Sequence, residues 1–97
     1  MTTQVILEFR AKAHCIDQAK AWLRSVLPDT RGFNGFVTLH VVQNQDNPAD
    51  IAIVEQWDTR QHYEKYLAWR GERGDMVVFG DMMEGPPTIR FFDFVGV

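Results

Sequence analysis

Six residues in the second half of this 97-residue chain have types and spacings that could do chemistry together. Ile53, Glu55 and Trp57 alternate on one face of a strand-like run, and Tyr63, Tyr66 and Arg70 follow at the three- and four-residue steps of one helix face. A strand that turns into a helix at this point brings an indole and two phenols around one cavity, extended by a guanidinium. An aromatic-walled pocket with a few polar tips is what binding a flat organic molecule requires. The same residues fit a second reading, because large aromatics at helical spacing also build cores, and Glu55 can pair with Arg10, Arg70 or Arg90.

Other chemistries find less support. His14, His40 and His62 do not stand at metal-ligand spacing, and no HExxH, CxxC or CxxH pattern occurs, so no metal site is expected. The glycines do not form a phosphate loop between a strand and a helix. A single cysteine, Cys15, excludes an intrachain disulfide, and its place beside His14 near a helix start reads as inert rather than nucleophilic. Acidic residues outnumber basic ones 13 to 10, for a net charge of −3, which argues against phosphate-driven nucleic-acid binding. An RNA-binding sheet is disfavoured further by the lack of a basic, aromatic strand. With 45% hydrophobic residues the chain can bury a core and is not a disordered composition. The segment after Met1 lacks a basic stretch followed by an apolar run, and no segment approaches the roughly 18 apolar residues of a membrane span. A cytoplasmic, single-domain protein over residues 1–97 is expected.

The elements that must hold the six residues are readable from periodicity. Residues 4–11 alternate with Val5, Leu7, Phe9 and Ala11 on one parity and predict a strand. Ile16, Ala19, Leu23, Val26 and Leu27 switch to helical spacing, predicting a helix over about 15–27 that Pro28 ends. Residues 31–35 read as a loop whose Gly32 and Gly35 are available for positive φ. Phe36 to Gln43 predicts a second strand, 44–50 a hairpin loop, and Ile51 to Trp57 a third strand. Asp58 or Thr59 can cap a helix over 59–70, with Asp58 and Gln61 resembling a capping box. Residues 71–85, broken by Gly71 and Gly74, suggest a short helical piece, and Thr88 to Val95 a last strand.

The order β-α-β-β-α-β predicts an α+β, ferredoxin-like fold with an antiparallel sheet and both helices on one face. Counting faces then matters. The second strand carries Val37, Leu39 and Val41 against Phe36 and Val42, and the last carries Ile89, Phe91 and Val95 against Phe92 and Phe94. Helices cover one side only, so the apolar residues on the other side predict a homodimer formed by sheet-on-sheet packing.

With this element order, Gly35-Phe36 opening the second strand, Val54-Glu55-Gln56-Trp57 leading into Thr59-Arg60-Gln61-His62-Tyr63, and Pro86-Pro87 before the last strand, the chain resembles the antibiotic biosynthesis monooxygenase family over nearly its full length. The resemblance implies a dimeric α+β barrel. It also implies oxidation of a phenol-, quinol- or anthrone-like compound by O₂ with no metal, haem, flavin or other cofactor. In such a reaction the substrate loses a proton and its electron-rich anion reduces O₂, while the protein binds the ring, takes the proton, stabilises oxyanions and excludes water. Trp57 and Tyr63 match the tryptophan and tyrosine of quinone-forming members and are assigned to substrate binding and proton handling. Glu55 and His62 are the candidate proton acceptors. Tyr66 and Arg70 wall the pocket and support the oxyanion, and Ile53 contacts substrate where those members carry an asparagine. The alternative reading is a non-catalytic small-molecule-binding or structural dimer of the same fold. A haem-degrading branch matches less well, with Tyr66 in place of a tryptophan, Glu8 in place of an asparagine, and no histidine after His62.

Overall fold

Strict alternation builds the two central strands. In the computed structural model, which describes residues 2–97, β1 (Thr3–Arg10) buries Val5, Leu7 and Phe9, and β3 (Asp50–Trp57) buries Ile51, Ile53, Glu55 and Trp57. Val5 lies opposite Glu55 and Leu7 opposite Ile53, so these side chains share one face. β2 (Phe36–Gln43) and β4 (Thr88–Asp93) flank this pair, giving a four-stranded antiparallel sheet in the order β2-β3-β1-β4. The fold is α+β and ferredoxin-like, as the element order predicts.

Helices α1 (Ile16–Val26) and α2 (Arg60–Glu72) cover the face carrying those residues. Ala19 and Leu23 of α1 join Leu7, Phe9, Ile51 and Ile53 in one buried cluster, while Tyr63 and Tyr66 of α2 join Val5 and Trp57 in another. A short helix α3 (Asp75–Asp81) follows and inserts Phe79, which packs edge-on against Phe9 at 4.7 Å and stacks on Trp22 at 5.2 Å.

Several expectations need correction. α1 is preceded by a 3₁₀ turn at Ala13–Cys15, and a second turn at Leu27–Gly32 carries the chain past Pro28, because proline suits the first positions of a helical turn. Gly32 lies in that turn, and only Gly35 of the two glycines takes a positive φ, of 89°. The α2 cap is Thr59, whose side chain accepts from the His62 N–H; the backbone N–H of Asp58 instead donates to the Gly35 carbonyl at 2.7 Å. α2 continues through Gly71 to Glu72, and β4 stops at Asp93, leaving Phe94 and Val95 exposed beyond the sheet.

The face count changes accordingly. A register shift between Phe36 and Thr38 puts Phe36 opposite Trp57 and Leu39 opposite Glu55, so Phe36, Leu39 and Val41 all belong to the helix-covered face. The uncovered face carries half-buried Ile6 and Val54 and exposed Val42 and Phe92, interspersed with Gln4, Glu8, His40, Gln56 and Arg90. It is a mixed surface, less apolar than parity alone predicts. Among the described residues, no helix is long and apolar enough to cross a membrane.

Candidate active site

The corner between β3 and α2 brings most of the chemistry-bearing residues together. A cavity of about 40 Å³ between the helices and the sheet is lined by Ile53, Glu55, Tyr63, Tyr66 and Arg70, with Met76 of α3 among the side chains around it. Strand alternation aims Ile53 and Glu55 inward, and the three- and four-residue steps of α2 stack Tyr63, Tyr66 and Arg70 on its buried stripe.

Glu55 is 3% exposed and makes no ion pair among the described residues. Arg10 and Arg90 instead pair with Asp50 and Glu8. One Glu55 carboxylate oxygen, Oε1, accepts a hydrogen bond from the Trp57 indole Nε1 at 3.1 Å. Burial pushes its pKa up to about 7, against the weaker opposing pulls of that hydrogen bond and of the Arg70 charge. Trp57 is fully buried and does not line the cavity; it packs against Tyr63 at 5.8 Å, Tyr66 at 5.0 Å and Phe36 at 5.6 Å, and holds Glu55 in place.

The Tyr63 hydroxyl makes no hydrogen bond among the described residues, and burial, followed by the nearby Glu55 charge, raises its pKa. Tyr66 is tied down: its hydroxyl shares a 2.8 Å hydrogen bond with the Thr30 hydroxyl and accepts another from Arg70 Nε at 2.9 Å. Desolvation dominates, and the Tyr66 pKa is raised as well. Arg70 further donates to the Val26 carbonyl at 2.7 Å, to Thr30 at 3.1 Å and to Asp75 at 3.0 Å. Burial works against its charge, but the hydrogen bonds to Tyr66 and Asp75 outweigh it and raise its pKa.

His62 stands apart from this cavity. Its Nδ1 meets the Thr59 hydroxyl at 2.7 Å at the start of α2, and its ring lies against Gly35. Two residues that the sequence reading did not single out belong to the site. Thr30, fully buried in the 3₁₀ turn, and Asp75, at the first residue of α3, both serve Arg70. A buried arginine demands acceptors, and that demand is a signal for Asp75 five residues on; nothing in the pattern around Pro28 marks Thr30. Among the described residues no three His, Cys, Asp or Glu side chains gather as a metal site would need.

A model of the antibiotic biosynthesis monooxygenase family matches residues 3–70. No curated protein matches the sequence significantly. Several solved structures share the fold. A conserved protein from Methanosarcina mazei Go1 is 13% identical, with 95% of this chain and 91% of that one covered at a TM-score of 0.86. An antibiotic biosynthesis monooxygenase is 18% identical, with 96% and 98% covered at 0.85. SnoaB, a cofactor-independent oxygenase from Streptomyces nogalater, is 10% identical, with 99% and 95% covered at 0.84.

Proposed function

This chain belongs to the antibiotic biosynthesis monooxygenase family, and from that membership and the site's geometry we propose that it oxidises a small phenol-, quinol- or anthrone-like compound with O₂, without a cofactor. The observation that carries the reading is Glu55: a buried carboxylate whose pKa lies at about 7, with one oxygen held by an indole, near a Tyr63 hydroxyl that makes no hydrogen bond among the described residues and a small, mostly apolar cavity. A base with a pKa near the working pH combines ionisation with proton affinity most effectively.

Glu55 removes a proton from the substrate, and the resulting anion supplies electrons to O₂. One oxygen atom forms the new C–O bond, and the other leaves as water with the two hydrogens lost from substrate, so the ring becomes a quinone. Tyr63 donates a hydrogen bond to the developing oxyanion. Tyr66 and Arg70, already committed to each other and to Thr30, keep the wall rigid and positive. Trp57 is a positioning residue, acting through Glu55, and His62 receives no role because it sits outside the cavity. A cavity of about 40 Å³ is well short of the cavity of about 150 Å³ known to hold benzene and does not admit a ring as it stands. Substrate entry therefore requires the covering side chains to give way, and the unbranched Met76, close to the left-handed Gly74, is a candidate to move.

The working form is a homodimer packed through the uncovered sheet face, where Val42 and Phe92 are exposed, in the cytoplasm, with a small aromatic ligand as partner and neither nucleic acid nor membrane. The tight packing of Trp57, Tyr63 and Tyr66, all 5% exposed or less, favours a second reading as a non-catalytic dimer. Oxygen uptake with a panel of hydroquinones and anthrones, corrected for their spontaneous oxidation, separates the two. Catalysis predicts turnover that rises with pH through about 7 and falls about a hundredfold in Glu55→Gln. No uptake above the blank, or uptake that Glu55→Gln leaves unchanged, overturns the catalytic reading.

A further inference from the structure

Three cations of this acidic chain stand around one open groove on the other side of α1. Lys20 and Arg24 come from α1, Arg31 from the 3₁₀ turn that follows, and β2 forms the opposite wall. The groove has a volume of about 640 Å³, inside the range of about 300–1,000 Å³ for small-molecule sites. Its floor is apolar, with Leu23 and Ile51 each 2% exposed, and the wall continues through Val41, which remains 40% exposed.

The electrostatics are one-sided. No Asp or Glu lines the groove. Arg10, Arg60, Arg70, Arg73 and Arg90 each have a carboxylate partner, whereas Arg24 and Arg31 make neither an ion pair nor a side-chain hydrogen bond among the described residues. Lys20 donates to Gln43 Oε1 at 3.2 Å, a bond that ties α1 to β2 and leaves its charge uncompensated. Arg24 in the last turn of α1 suits the helix dipole. That does not account for Lys20 four residues earlier, a like-charge neighbour that destabilises the free helix, or for Arg31 beyond its end.

We propose that this groove is a second binding site, separate from the Glu55 cavity, for an amphipathic small-molecule carboxylate. Its apolar body lies on Leu27, Leu39 and Val41, with Leu23 and Ile51 buried beneath, and its charged head meets Arg24, Arg31 and Lys20. An anion there relieves the repulsion between the cations, and an apolar body covers Val41 and the half-buried Leu27 and Leu39, which water otherwise reaches.

Anilinonaphthalene sulfonate is a suitable anionic probe, phenyl naphthylamine its neutral counterpart, and decanoate the competing carboxylate. The Arg24→Gln/Arg31→Gln double variant is expected to weaken the anionic dye about tenfold while the neutral dye is unaffected. Decanoate is expected to displace the anionic dye from the parent protein. Arg90→Gln on the sheet face and Glu55→Gln in the inner cavity are expected to change neither dye. The proposal falls if the double variant leaves the anionic dye unchanged or weakens both dyes alike. It falls as well if decanoate does not compete, or if Glu55→Gln or Arg90→Gln reproduces the loss. A double variant whose mass in solution differs from the parent's gives the groove to a second copy of the chain and overturns the small-molecule assignment.

Discussion

Burying a carboxylate without a counter-ion raises its proton affinity, and Glu55 carries the consequence into stability as well as chemistry. Its pKa is about 7 in the fold against 4.5 as the ordinary value, so between these two pH values the native state binds the proton that the unfolded chain releases. Stability from this group is therefore full below about pH 4.5, declines as pH rises to about 7 and stays low above it, a loss of about 3 kcal/mol at most. Glu55→Gln keeps an acceptor for the Trp57 indole and removes the ionisation. Its thermal midpoint should rise by up to roughly 12–24 °C at about pH 8 and barely move at about pH 4. A variant equally stabilised or destabilised at both pH values contradicts the assignment. At this scale much of the site was legible: parity on β3 and helical steps on α2 select Ile53, Glu55, Tyr63, Tyr66 and Arg70. What parity cannot reveal is which side chains touch the cavity and which only support it. Trp57 and Glu55 share a face, yet only Glu55 lines the cavity, and Thr30 reaches Arg70 across 40 residues of chain.

Elements carry a different kind of information. The entry into β2 rests on Gly35, whose φ of 89° suits glycine and whose missing side chain makes room for His62. A Cβ at this position would collide with the His62 ring and Cβ, at the helix start that Thr59 caps. Gly35→Ala is expected to destabilise the fold by about 2–4 kcal/mol, read from denaturant midpoints, with both backbone strain and the collision contributing. A change within about 0.5 kcal/mol of the parent would show that the corner can relax. The number and order of the strands and of the two long helices follow from local periodicity, which is why they were readable. The displaced register at Phe36, the 3₁₀ turns either side of α1 and the reach of α2 through Gly71 depend on what each segment packs against. Periodicity does not encode those neighbours.

For the molecule as a whole, the proposed homodimer rests on the uncovered sheet face. Ile6 and Val54 lie side by side in its two central strands, with Val42 and Phe92 exposed toward its edges. If two copies pack through this face, light scattering at micromolar concentration gives twice the monomer mass, and Val54→Glu, which places a charge at the centre, gives the monomer. A parent that scatters as a monomer rules the packing out. On the covered face, the Arg70 guanidinium bonds to the end of α1 at Val26, to the following turn at Thr30, to Tyr66 on its own helix and to the start of α3 at Asp75. Removing any one of these segments leaves a nearly dry guanidinium N–H without its acceptor. The roof over the cavity thus depends on one guanidinium, which joins the end of α1, the turn after it, α2 and the start of α3.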